Sequence, residues 1–113
     1  CVTYDKLPGV YTNADVVIVT SEIYESFSYT VAQAMACSKP VIASNIGGIP
    51  ETLDSGRLGL LFEPGNIESL FEKLSYVYNN QARDISKGAR EYVINNFSFE
   101  KLGAIYKDYY MCQ

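Results

Sequence analysis

Histidine is absent from this chain of 113 residues. That removes the commonest general base and excludes every Ser-His or Cys-His nucleophile arrangement from these residues. If an enzyme is present, its base lies elsewhere, or its chemistry needs none from this segment. Cysteine is scarce. Cys1, Cys37 and Cys112 follow no metal or disulfide spacing, and an odd, sparse set points to a reducing compartment. Positive charge is also short: nine Lys and Arg face thirteen Asp and Glu, for a net charge of −4. With a pI near 4.7, the basic face that nucleic acid demands is not expected. No apolar run reaches the length of a membrane span, and no signal peptide is visible. The chain opens on Cys1 without an initiator Met and reads as an excised piece, so targeting signals could lie in the remainder.

What is present fits one globular domain or part of one. The apolar fraction of 48% is ordinary, and it supports a small core. Ten tyrosines are read as amphipathic packing at half-buried positions.

Along the chain, short strands alternate with helices. Val2 to Tyr4 reads as a short strand and Leu7 to Thr12 as a helical turn with Pro8 near its start. Asp15 to Thr20 is a continuous β-branched run, the pattern of a strand buried on both faces in a parallel sheet. A helix is predicted from Tyr29 to Cys37, and a second buried strand from Pro40 to Ala43. Ser44 to Gly48 reads as a loop, Ile49 to Leu53 as a short helix, Asp54 to Gly56 as a turn and Gly59 to Phe62 as a third strand.

The remainder is helical. One apolar stripe runs through Ile67, Leu70, Phe71, Leu74 and Val77. A second takes Ala82, Ile85, Ala89, Tyr92 and Val93, and a third takes Leu102, Ile105, Tyr106 and Tyr109, with Ser98 as its N-cap. These stripes are expected to serve as core and interdomain surface. The alternation predicts an α/β fold: a partial Rossmann-like parallel sheet flanked by helices.

In such sheets ligands bind outside the carboxyl ends of the strands. The loop after Val19 carries Ser21, Glu22, Tyr24 and Glu25; the loop after Ala43 carries Ser44, Asn45, Gly47 and Gly48. The helix beginning near Ser28 offers free N–H groups and the positive end of its dipole, which suit an anion. Ser28 and Thr30 add hydroxyls, and Gln33 is a carboxamide in a small-residue helix that needs partners. No Lys or Arg occurs between Lys6 and Lys39, so a strong phosphate cation must come from other sequence. Each residue also has a plainer reading. Glu25 is then a solvated loop carboxylate and Gln33 a core amide satisfied by backbone. Ser28 and Thr30 are then simple caps, and Gly47 and Gly48 turn geometry.

Glu25 to Ala36, with Lys39 to Ser44 and Gly47-Gly48-Ile49-Pro50-Glu51, resembles the donor half of the GT-B fold retaining glycosyltransferases of group 1. That family carries two glutamates separated by seven residues, then Ala-Met-Ala (here Ala34 to Ala36), then a Gly-Gly-x-Pro-Glu turn. Ala14-Asp15, Ser21, Gly56, Gly59 and Phe97-Ser98 match as well, so the resemblance covers nearly the whole chain. It implies that residues 1–113 form the C-terminal part of a nucleotide-sugar-binding domain.

The resemblance also assigns roles. Glu25, the residue put forward as catalytic, hydrogen-bonds hydroxyls of the donor sugar. Amides of Phe27, Ser28 and Tyr29 approach sugar and phosphates, the helix start at Thr30 and Val31 faces the diphosphate, and Gln33 stands where the second glutamate binds ribose. A neutral amide there weakens ribose binding by about 1 kcal/mol. Ser28 stands where the family has glycine, which remodels the phosphate contact.

The implied partner is a nucleoside diphosphate sugar, with an acceptor-binding N-terminal domain in the same parent. No cofactor and no metal are expected. The expected location is the cytoplasm, with the inner face of a membrane open to the parent. This segment alone is not expected to catalyse transfer. The alternative is a non-catalytic, glycosyltransferase-like scaffold, motivated by Gln33 and Ser28. A receiver-like domain is disfavoured, because the chain lacks the full five-stranded unit and the acidic cluster it needs.

Overall fold

The computed structural model describes residues 6–24, 26–79 and 85–97. Its sheet has three parallel strands in the order β1-β2-β3, namely β1 (Val17–Val19), β2 (Val41–Ser44) and β3 (Leu60–Phe62). The helices are α1 (Leu7–Thr12), α2 (Tyr29–Ala36), α3 (Ile49–Thr52), α4 (Ile67–Tyr78) and α5 (Ala89–Phe97). The register pairs Val19 with Ala43 and Ser44 with Phe62. The loops after all three strands therefore leave from one edge, as the α/β reading requires.

β2 is central and buried at every position, as its unbroken Val-Ile-Ala run predicts. β1 differs from expectation. It is shorter than the β-branched run, and Ile18 is 40% exposed. β1 has one strand neighbour among the described residues, and α2 packs against it. Ile18 points the other way from Val17 and Val19, which pack against the core.

α2 is the centre of the core. Val31, Ala34 and Met35 are fully buried with Val41, Ala43, Ile49, Leu53 and Leu58. Its small residues let neighbours approach, and β1, β2, α1, α3 and α5 all pack against it. The helix ends in a Schellman turn. Ser38 N–H donates to the Met35 carbonyl (2.9 Å) and Lys39 N–H to that of Ala34 (3.1 Å). Ser38 adopts the left-handed conformation there, with φ of 59°. Arg90 of α5 donates to the Ala36 carbonyl at 2.6 Å, satisfying another orphan acceptor at that helix end.

Two glycines have a steric reason. Gly47 has φ of 61° in the turn that leads into α3. A Cβ at Gly59 would lie 2.7 Å from a methyl of Leu53, which is fully buried and has no room to yield.

The C-terminal region departs from its predicted pattern. The second stripe is helical only from Ala89, because residues 85–88 form turns and Gly88 has φ of 84°. On α4, Leu70, Leu74 and Val77 are half-buried, whereas Ile67 and Phe71 are 83% and 69% exposed. The predicted stripe is wider than the β3 and β2 surface the helix covers. The proposed strand at Val2 to Tyr4, Ala82, the Ser98 cap and the third stripe lie outside the described residues.

Candidate functional site

The carboxyl edge of the sheet gathers the loops after β1, β2 and β3. Ser44 Oγ donates to the Val19 carbonyl at 3.2 Å, and Asn45 N–H donates to the Phe62 carbonyl at 2.8 Å. These bonds tie the three strand ends together. Beside them is a cleft of about 260 Å3 lined by Thr20, Glu22, Phe62, Gly65, Asn66, Ile67 and Leu70. It opens at the sheet edge expected to bind ligand, but among the described residues none of those singled out for donor binding lines it.

α2 begins at this edge. Ser28 takes extended dihedrals (φ −102°, ψ 110°), and its Oγ accepts from Val31 N–H at 3.3 Å. The helical ladder starts with Ala32 N–H donating to the Ser28 carbonyl at 3.2 Å. Val31's amide is thus spent on the cap and its side chain is fully buried. The amides of Tyr29 and Thr30, ahead of that ladder, are the ones suited to an anion. This modifies the expectation for Val31. Ser28 is buried and acts as a cap, one of its two expected roles.

Phe27 is held by aromatic contacts. Its ring meets Tyr29 edge-on, with centroids 5.1 Å apart, and Phe97 of α5 at 5.3 Å. Tyr92 extends the cluster to Phe97 at 5.9 Å. α5 thereby anchors the loop that enters α2. Tyr29 and Thr30 are exposed, and Gln33 is half-buried one turn further on. Glu25 lies outside the described residues.

Tyr11 of α1 was not singled out by the sequence, where all tyrosines read as packing. Its hydroxyl donates to Gln33 Oε1 at 2.9 Å. Thr30 hydrogen-bonds the same phenol. Burial pushes the Tyr11 hydroxyl above its usual range, the Thr30 bond draws it back, and the nearby Cys37 raises it again. Thr30, Gln33 and Cys37 recur at helical spacing on one flank of α2, and Tyr11 lies along that flank. Gln33 therefore has a side-chain partner in place of the backbone partner its plainer reading supposed. No spacing rule links position 11 to position 33; α1 docking on α2 creates the contact. Among the described residues, no group of acidic, Cys or His side chains could hold a metal ion.

Comparison with known proteins bears on this arrangement. The family model for glycosyl transferases group 1 matches residues 2–96. This chain belongs to that family. It is 36% identical over 92 residues to the sulfoquinovosyl transferase of Arabidopsis thaliana, covering 77% of this chain and 18% of that protein. Its fold matches sucrose-phosphate synthase from Thermosynechococcus elongatus with a TM-score of 0.83 at 30% identity, over 99% of this chain and 29% of that one. It matches Anabaena HepE in complex with UDP-glucose with a TM-score of 0.83 at 25% identity, over 95% of this chain and 30% of that one. The chain thus spans less than a third of these relatives' length.

The three parallel strands with flanking helices are those of a GT-B glycosyltransferase. For this group 1 chain, no described helix is long and apolar enough to cross a membrane.

Proposed function

We propose that residues 1–113 are the C-terminal part of a nucleotide-sugar-binding domain, and that the full-length protein transfers a hexose from a nucleoside diphosphate sugar to an acceptor hydroxyl with retention. The observation that carries this reading is the start of α2. A capped helix opens at the carboxyl edge of a parallel sheet, in a chain whose family model matches residues 2–96. UDP-glucose, the ligand of the Anabaena structure, is a donor of the required chemistry.

In this reading Glu25 accepts hydrogen bonds from hydroxyls of the donor sugar. The backbone at Phe27, Ser28 and Tyr29 approaches sugar and phosphates, the amides of Tyr29 and Thr30 face the diphosphate, and Gln33 contacts the ribose. The chemistry asked of the site is electrostatic. Donors fixed in advance stabilise charge on the departing diphosphate while the sugar centre becomes positive. Helix amides supply part of that field. No cation lies between Lys6 and Lys39, so Lys or Arg from elsewhere in the full-length protein completes it, together with an acceptor-binding domain. The protein works in the cytoplasm or at the inner face of a membrane.

Calorimetry of the full-length protein with a panel of nucleoside diphosphate sugars tests this, with Glu25→Ala alongside. One sugar nucleotide is expected to bind, and Glu25→Ala to weaken it more than it weakens the bare nucleoside diphosphate. A second reading, a non-catalytic scaffold, is favoured by two departures from the family pattern, the neutral Gln33 and the Ser28 cap. Absence of binding to every sugar nucleotide would select it.

A further inference from the structure

The Tyr11 hydroxyl, from α1, bridges two residues of the proposed donor site that lie one turn apart on α2. It donates to Gln33 Oε1 at 2.9 Å, and the Thr30 hydroxyl bonds to it. A carboxamide on a flexible side chain has three torsions to settle. One hydrogen bond from a ring fixed in the core removes much of that freedom before any ligand arrives. The ring is so fixed. Tyr11 is half-buried, packs against the core cluster and sits on α1, which docks on α2. With Oε1 committed to Tyr11, the NH2 of Gln33 is directed away from Tyr11, from the opposite edge of the planar carboxamide. A glutamate here would offer charge to a ribose glycol. A glutamine offers a neutral group, whose effectiveness depends on being aimed.

We propose that Tyr11 is the positioning residue of the ribose contact, holding Gln33 in the orientation that distinguishes a ribonucleotide from its 2′-deoxy counterpart. This rests on Gln33 being the ribose contact, as proposed above. Tyr11 touches no reacting atom in this scheme. Its removal is expected to change donor KM and ribose discrimination while leaving kcat within about twofold.

The test uses the full-length protein and whichever of UDP, GDP or ADP binds it most tightly. The readout is the ratio of Kd for the 2′-deoxynucleotide to that for the ribonucleotide. Gln33→Ala is expected to lower this ratio by about three- to tenfold, the range of one hydrogen bond. Tyr11→Phe, which keeps the ring, is expected to reproduce most of that loss with Gln33 in place and to add nothing to Gln33→Ala in the double variant. In other words, Tyr11→Phe alone lowers the ratio nearly as far as Gln33→Ala does.

If Gln33→Ala lowers the ratio but Tyr11→Phe leaves it unchanged, the phenol is merely structural and the proposal is overturned. A Tyr11→Phe effect that persists undiminished in the Gln33→Ala background overturns it too, because Tyr11 would then act by another route. If Gln33→Ala itself leaves the ratio unchanged, or none of the three nucleotides binds, the underlying ribose reading is what fails. Should Tyr11→Phe not fold, Thr30→Val removes the bond at the other side of the phenol and keeps the helix amide. It is expected to lower the ratio by about twofold, and no change there overturns the proposal in the same way.

Discussion

α2 and α4 start alike and end up in different surroundings. Each follows a strand and opens with a side-chain cap: Ser28 Oγ accepts from Val31 N–H at 3.3 Å, and Asn66 Oδ1 accepts from Ser69 N–H at 3.0 Å. α4 is the longer and carries the larger apolar side chains. Yet α2 buries Val31, Ala32, Ala34 and Met35, while α4 buries no residue. Among the described residues five elements pack on α2, whereas α4 meets β3 and β2. Local capping and amphipathicity make a helix, but burial depends on how many neighbours reach it. The small side chains of α2 let those neighbours close in. This also brings Tyr11 of α1 to Gln33, and α5 to the carbonyl end of the helix.

The sharpest way to break this contrast is to truncate one large side chain on each helix. Met35→Ala is expected to cost about 2–5 kcal/mol, because the site is fully enclosed and collapses poorly. Phe71→Ala is expected to cost less than about 1 kcal/mol, because the ring is largely in water. Urea melts of the full-length protein read both. Equal costs would mean that α4 is covered by something outside the described residues.

The caps should show the likeness rather than the difference. Ser28→Ala and Asn66→Ala are each expected to cost about 1 kcal/mol in the same melts. A much larger loss for Ser28 would show that its hydroxyl does more than cap. The C-terminal end of α2 allows a final, smaller test. Ser38 sits at φ of 59° in the turn after α2, whereas the C-caps of α2 and α4, Cys37 and Asn79, have φ of −89° and −83°. Ser38→Gly is therefore expected to raise stability by up to about 1 kcal/mol, and Asn79→Gly to give no gain. A shift in melting temperature reads it.

Much of the fold is legible in particular residues. The Val41-Ile42-Ala43 run is a strand with two covered faces, and in the structure it is the central one. Ser28 is a cap by type and by position. The Gly47-Gly48-Ile49-Pro50-Glu51 turn leads into α3, with its left-handed residue at Gly47. Periodicity found the α4 helix but misplaced the start of α5. An apolar stripe records which face a helix could bury, not whether a partner is there to bury it, and Gly88 ends the earlier turn in a conformation that no helix continues. Within the candidate site, the helix start at Ser28 to Thr30 was legible from capping residues and the helix dipole. Tyr11 was not, because its partner is 22 residues away and lies on another helix.

By itself, the sequence determined the α/β alternation, the strand runs, the caps and the group 1 motifs, since each depends on backbone preference or on neighbours a few residues apart. Only the tertiary structure decided that Val31's amide is spent on Ser28, that Ile18 and Phe71 face outward, and that Gln33 is held by Tyr11. Those outcomes depend on which surfaces meet across the chain, and a hydrogen bond between distant residues exists only once packing has brought its partners within about 3 Å.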